Sequence, residues 1–353
     1  MQHEKEALIA LAFSGVIGPK RYAHLLDIFG AAENIIKATR TELCESLGVK
    51  VGDKVYDAID GFNFSIIDTR LKTQGITALT LVDAQYPQRL KKISDPPLVL
   101  FCKGKTLHDN ARSIAIVGAR KATGYGLLNA RKIARELAEA GLLVVSGMAY
   151  GIDSEAHRGA LEANGGTTAV LGSGVDVCYP ASHVGLYNSI VLQGSVVSEF
   201  IPGTKPYAGN FPARNRIISA LADSVFVVEA AAGSGTLITV DFALEQGKDV
   251  FALPGNVGQT NSEGTNRLIQ QGAKLIIKAE DILEEYGLRN IQRVAPSEED
   301  ALLNLIGQRL LAFDDLLYES GLSVEVLQSK LILLELAGKI VRQGDVVYLR
   351  SSK

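Results

Sequence analysis

Residues Ser113 to Gly126 read SIAIVGARKATGYG, and the fold of the whole chain can be worked outward from them. An apolar run ends at Gly118, Arg120 follows, and a turn through Thr123 and Gly124 opens a segment of helical patterning. α/β proteins receive phosphates at such places, because glycine lets a ligand approach the backbone and free amides at a helix start attract anions. Downstream, GLLVVSG, TTAVLG, VVSEF, SVFVVEA, DVFALPG and AKLIIKA are further short apolar runs. Between them the patterning predicts helices at about Tyr125–Ala140, Asp153–Ala163, Val184–Leu192, Pro212–Ala222, Thr236–Gln246 and Thr265–Gln271. Continuous apolar strands alternating with helices predict a mostly parallel sheet covered on both faces, an extended Rossmann-like α/β fold. In such sheets ligands sit at the carboxyl ends of the strands, so the residues closing each strand are the ones to inspect.

Those strand ends exclude two familiar nucleotide sites. A dinucleotide fold needs Gly-x-Gly-x-x-Gly after its first strand and an acid near the end of its second. Here Gly118 is followed by Arg120, the next glycines are Gly124 and Gly126, and the second strand closes with Ser146-Gly147. No complete Gly-x-x-x-x-Gly-Lys-Ser/Thr phosphate loop is present either. What remains is a set of small residues, hydroxyls and arginines: Gly118 and Arg120, Ser146 and Gly147, Gly172 to Gly174, and Ser234-Gly235-Thr236 at a helix start. Arg120 has no acid near it in sequence, and phosphate binding competes there with a salt bridge across the top of the sheet.

The densest basic element is Phe211-Pro212-Ala213-Arg214-Asn215-Arg216, which Pro212 places at a helix start. Arginines two positions apart point to different sides of a helix, so one can clamp a phosphate while the other braces the fold. Phe211 is either a base-stacking platform or a core residue; as a platform it would contribute about 1–3 kcal/mol per base with little sequence preference.

On either side of this α/β region the patterning changes. Residues 1–65 carry helical periodicity and predict a small helical domain, with Gly15 to Gly18 and Gly48 to Gly52 as tight joints between helices. Such joints resemble helix-hairpin-helix or SAM-like modules, in which backbone amides meet a phosphate; the competing reading is a packing turn. The α/β region spans 66–288 and begins with two further strands, ITALTLVD and LVLFCKG. A polar, proline-containing linker then leads to 297–353, three amphipathic helical stretches followed by KIVRQGDVVYL, which predicts a winged-helix-like domain. That tail holds six basic and nine acidic residues, and its third helical stretch lacks a basic or amide face for a major groove, so a protein contact is favoured over duplex reading.

The 353-residue chain has a formal charge of −3, which excludes a protein that coats duplex DNA by bulk attraction. Any nucleic-acid binding must come from a local concentration of arginine and lysine. No apolar run reaches the roughly 20 residues of a membrane helix and no signal peptide is evident, so cytoplasm without membrane partners is expected. Cys44, Cys102 and Cys178 lack metal spacing, the five histidines are scattered, and neither a metal nor a cofactor is expected.

IAIVGARKATGYG, VVSGMAYGIDSEAHRGAL, TTAVLGSGVDVCYP, VVSEF, FPARNRIISAL, GSGTLITVDFALEQG and FALPG, in this order, resemble the DNA-processing protein A (DprA/Smf) family over about residues 75–280. The resemblance implies an extended Rossmann fold that binds and protects single-stranded DNA, forms a homodimer and loads the RecA recombinase during natural transformation. It also implies DNA contacts at Arg120 and Phe211 to Arg216, with Gly118, Ser146 and Gly147 in the same pocket. Many relatives carry a lysine where Ala181 or Ala208 stands here. The expected grip therefore leans on Arg120, Arg214 and Arg216, with Lys205 as a nearby substitute.

A second reading is an enzyme acting on nucleotides. Gly233-Ser234-Gly235-Thr236 resembles the phosphate loop of nucleoside-monophosphate phosphoribohydrolases, and Glu229 lies at a strand end nearby. Those enzymes usually need a glutamate shortly after the threonine, whereas Leu237 to Val240 supplies none and Asp241 is the nearest acid. His157 reads as a helix-packing or capping histidine, since no nucleophile elbow surrounds it.

Overall fold

The computed structural model describes residues 2–107, 111–288, 302–303, 305–306, 311–337, 339–343 and 346–349. Six helices come first: α1 (Gln2–Phe13), α2 (Pro19–Phe29), α3 (Ala32–Ile35), α4 (Arg40–Leu47), α5 (Val49–Asp60) and α6 (Phe64–Thr73). The two glycine-containing joints between them pack closely. Ser14 Oγ accepts from the amides of Val16 and Ile17, both at 3.3 Å, so those donors are already used. At the second joint, a Cβ on Gly52 would lie 2.6 Å from the Cys44 backbone, which is how closely α4 and α5 approach.

The sheet region follows as β1 (Ile76–Thr80), α7 (Gln88–Lys91), β2 (Val99–Gly104), β3 (Ser113–Val117), α8 (Gly124–Glu139), β4 (Leu143–Ser146), α9 (Ile152–Glu162) and β5 (Thr167–Val170). After it come α10 (Val184–Gln193), β6 (Ser195–Ser198), α11 (Asn210–Ala220), β7 (Ser224–Val227), α12 (Gly235–Glu245), β8 (Asp249–Ala252), α13 (Thr260–Gln270), β9 (Lys274–Leu275) and α14 (Ala279–Glu285). Strand order is β1-β2-β6-β5-β4-β3-β7-β8-β9. From β3 to β9 every pairing is parallel, while β2 runs antiparallel to both β1 and β6. The Rossmann-like reading thus holds. The chain winds from β3 to one side as far as β6, then restarts at β7 on the other side of β3. That reversal creates a crevice above the carboxyl ends of β3 and β7.

Residues of β3 alternate between two cores. Ile114 and Ile116 pack with α8 and α9 residues such as Ile133 and Ala156, while Ala115 and Val117 pack with Ile217 of α11 and Val240 of α12. A strand buried on both faces has no polar side to display, which accounts for its unbroken apolar sequence. Gly104-Lys105-Thr106 superficially resembles the end of a phosphate loop. It closes the antiparallel β2, so it lies at the opposite end of the sheet from the crevice.

The helical region at the N-terminus does not stand apart from the sheet. Leu8, Leu25, Ile35 and Val55 share one buried cluster with Phe101 of β2 and Ile190 of α10, and Phe13 meets Phe101 edge-on at 6.0 Å. The expected boundary at 65/66 also falls inside α6. Residues 1–288 form one compact unit and 289–353 a second. In the second unit, helices Phe313–Ser320 and Val324–Leu336 pack with a three-stranded sheet of β10 (Leu311–Ala312), β11 (Ile340–Gln343) and β12 (Val346–Leu349). Residues 297–301 of the tail, and Gly344-Asp345 of its expected hairpin turn, lie outside the described residues.

Several helix boundaries move by one or more residues from those read in the sequence. The largest moves are at α13, which begins at Thr260 instead of Thr265, and at α11, which begins at Asn210 instead of Pro212. Pro212 still lies in the first turn, where an amide has no intrahelical acceptor and its loss costs nothing.

Candidate nucleic-acid interface

A cavity of about 670 Å³ occupies the crevice above β3 and β7. Its walls come from the loop after β3, from the start of α11 and from the start of α12.

The β3–α8 loop is held from beneath. Gly118 has no room for a side chain, since a Cβ there would lie 2.6 Å from Ile152. The Ala119 amide donates to the Glu229 carbonyl at 2.8 Å, and the Thr123 amide donates to the Glu229 carboxylate at 2.9 Å. Asn261 closes the far side by donating to Lys121 O at 2.8 Å and to Glu229 Oε2 at 3.3 Å. The Thr123 hydroxyl also donates to Glu229 and accepts from the Gly126 amide, so it starts α8 as an N-cap. Glu229 is therefore a buried anchor for this loop, with both oxygens engaged. On the loop's inner side, Gly151 adopts φ +75, and a Cβ there would press into the backbone carbonyls of Ala119 and Arg120.

Arg120 emerges from this braced loop. Its side chain is exposed and makes no hydrogen bond or ion pair among the described residues. Its guanidinium carbon sits 5.1 Å from the centre of the Phe211 ring, and the Tyr179 ring lies 5.5 Å beyond that at 37°. Gly172 makes space for the arrangement, because a Cβ there would lie 2.8 Å from the Phe211 ring. A cation and two aromatic rings thus share one rim of the cavity, with Phe211 half-buried and Tyr179 exposed.

Arg214 forms the floor. It is 3 % exposed, and its Nη1 donates to Gly147 O at 2.6 Å and to Val170 O. A Cβ on Gly147 would collide with this guanidinium, so glycine there is a condition of the arginine's position. Burial lowers the Arg214 pKa to about 10, with Asp153 opposing the shift and Arg120 adding to it. No carboxylate lies within ion-pair distance of Arg214 among the described residues. Asp153 is close enough to attract it electrostatically but is itself buried, and burial raises its carboxyl pKa.

Arg216 goes elsewhere. It is 2 % exposed and lies outside the cavity lining, with Nη1 and Nη2 each 2.7 Å from a different oxygen of Glu199 and Nε 3.0 Å from Asp95 Oδ2. Burial works against this charge, but Glu199 and Asp95 hold its pKa above the ordinary value. Of the two arginines, Arg214 faces the cavity and Arg216 braces α11 against the rest of the unit.

Asn215, Ser234, Gly235 and Thr236 line the cavity as expected. Ser234 caps α12 by accepting from the Thr236 amide at 3.2 Å. Besides Arg216, three expected residues are absent from this lining, the first being Gly147, which lies against the Arg214 guanidinium. Ser146 is fully buried and ties strands together by donating to Ile116 O at 2.6 Å, while exposed Lys205 lies off the lining, which Pro206 and Ala208 supply instead. The structure adds Lys121, Asp153, Tyr179 and Asn261. Lys121 and Tyr179 stand inside the quoted motifs and could have been picked out there. Nothing local marks Asn261, whose contacts lie across the crevice. His157 is buried and hydrogen-bonds Thr167 Oγ1 at 2.7 Å, a packing role within the core.

These features define a doubly wound α/β protein with a cationic, aromatic-rimmed pocket at its topological switch point. Residues 77–287 match the family model for DNA recombination-mediator protein A, and 291–345 match the DprA winged helix domain. The DNA processing protein DprA of Bacillus subtilis (strain 168) is 43 % identical over 226 residues, covering 64 % of this chain and 76 % of that one. Protein Smf of Escherichia coli (strain K12) is 40 % identical, covering 75 % of each. The X-ray structure of DprA from Streptococcus pneumoniae superposes with a TM-score of 0.70 at 33 % identity, covering 80 % of this chain and 97 % of that one. DprA from Helicobacter pylori, whose structure concerns its single-stranded DNA binding mode, matches with a TM-score of 0.55 at 31 % identity, covering 60 % and 95 %. The chain belongs to the DprA/Smf family of DNA processing proteins and carries that family's C-terminal winged-helix domain. Among the described residues, no helix is long and apolar enough to cross a membrane.

Proposed function

We propose that this protein is a non-catalytic single-stranded DNA binder of the cytoplasm, acting as a homodimer that protects the strand and loads the RecA recombinase onto it. The observation that carries the DNA reading is the pairing of Arg214, buried with no ion-pair partner among the described residues, with the Arg120–Phe211–Tyr179 cluster beside it. Buried charge without a counterion is costly, and an incoming phosphate would relieve that cost. Aromatic faces beside it accept unstacked bases, which a duplex keeps inside. The combination favours single strands and little base preference. The H. pylori relative, with its single-stranded DNA binding mode, supports the same reading. The RecA and dimer roles rest on family membership.

Binding of a single-stranded oligonucleotide across a salt series, for wild type and Arg120→Ala, tests the DNA reading. The variant is expected to bind more weakly and with a salt slope smaller by about 0.7, the value for one phosphate on a single strand. Equal affinity for duplex and single strands, or an unchanged Arg120→Ala, would overturn it. For the loading role, this protein should accelerate RecA assembly on oligonucleotides already coated with single-strand binding protein. A nucleotide-cleaving activity is disfavoured because the Glu229 carboxylate is spent on Thr123 and Asn261. Incubation with a nucleotide panel should release no free base.

A further inference from the structure

A second cleft, of about 490 Å³, lies at the other end of the sheet, between α7, the end of α12 and the residues that precede β7 and β8. Its acids are partly spoken for. Asp223 meets Arg89 at 3.3 Å and accepts from the Ser113 amide at 2.8 Å, and Asp95 meets Arg216 at 3.0 Å. Glu245 is exposed. Lys92 and half-buried Lys248 line the same cleft, and neither makes a hydrogen bond or ion pair through its ammonium among the described residues. Burial pushes the Lys248 ammonium pKa down, and Arg89 and Lys92 add to this against the opposing pull of Asp223. Gln246 is tied to α11, donating through Nε2 to Arg216 O at 3.1 Å. Phe242 and Ile93 supply an apolar wall.

Two ammonium groups call for an anion, and the aromatic wall calls for a flat apolar body. The cavity falls within the roughly 300–1,000 Å³ typical of small-molecule sites. We propose that this cleft binds a phosphate-bearing small molecule of mononucleotide size. Its phosphate lies on Lys92 and Lys248, and its flat body rests on Phe242 and Ile93. The two sites share no lining residue: Arg214 lines the first, while the Arg216 side chain reaches only Asp95 at the edge of the second.

The test is calorimetric titration of the full chain with a panel of ribonucleoside and deoxyribonucleoside 5′-monophosphates, and with inorganic phosphate alone. At least one mononucleotide should bind, and Lys92→Ala and Lys248→Met should each weaken it about tenfold or more while Arg120→Ala leaves it unchanged. Lys92 is on the surface, so its variant remains informative if Lys248→Met folds poorly. Four results would overturn the proposal. These are no binding at millimolar mononucleotide, inorganic phosphate binding as tightly as any mononucleotide, loss of binding in Arg120→Ala with retention in Lys92→Ala, and displacement of the bound mononucleotide by single-stranded or duplex DNA in Arg120→Ala.

Discussion

The guanidinium of Arg120 lies over the ring of Phe211, 5.1 Å from its centre, and so joins the loop after β3 to the first turn of α11. The two residues come from separate motifs and meet only because β3 and α11 flank the same crevice. They are expected to act differently on DNA. Phe211→Ala should weaken single-strand binding by about 1–3 kcal/mol with the salt slope unchanged, because a ring neutralises no phosphate. Arg120→Lys should keep the slope while losing part of the affinity, because a lysine lacks the planar group that stacks on the ring. Fluorescence anisotropy over a range of salt separates the two outcomes.

Gly147→Ala should disable the pocket from below. The new methyl would occupy the place of the Arg214 guanidinium, which would have to leave Gly147 O and Val170 O. Overpacking of this kind costs about 1–3 kcal/mol. Thermal unfolding should show that loss, and DNA affinity should fall beyond what the reduced folded fraction explains.

Arg216 should behave as a brace. Arg216→Met leaves Glu199 and Asp95 partly buried without their cation, and breaking a buried pair by removing one member costs about 3–5 kcal/mol. The expected result is a large drop in denaturation midpoint. At temperatures where the variant stays folded, the salt slope for DNA binding should match wild type.

His157 should make the protein sensitive to acid. Burial, with Arg214 and His183 adding, depresses its pKa from 6.5 to about 3. The unfolded chain therefore binds a proton that the folded chain refuses, so this stability is fully present above about pH 6.5 and is lost as pH falls toward 3. In His157→Gln the melting temperature should fall less steeply across that window, read against wild type in the same buffers.

Removal of residues 289–353 should leave single-strand binding intact. Among the described residues, the pocket proposed to hold DNA is lined only by the first compact unit. Loss of affinity on truncation would show that the winged-helix domain shares the strand.

The α/β class could be read from the chain alone, because strands buried on both faces must be continuously apolar and the helices between them must repeat every three to four residues. Arg120 was legible for a related reason: a charged residue directly after such a strand has only the crevice to enter. Its neighbour Lys121 and Tyr179 were available in the same motifs. The number of compact units was not legible, since Leu8 and Val55 look the same in sequence whether they close their own small core or share one with Phe101.

Sequence by itself determined the order of strands and helices, the stretches that close them and the family to which they belong, because all of these follow from local pattern. The division of labour between Arg214 and Arg216 was decided by tertiary structure. Their spacing on α11 showed that they would diverge, but only the positions of Gly147, Glu199 and Asp95, each distant in sequence, set which arginine faces the pocket. The same holds for SIAIVGARKATGYG. Its pattern made it a strand end followed by a basic residue, and the packing of Phe211 and Tyr179 beside Arg120, with Arg214 buried below, made it a cationic pocket with an aromatic rim.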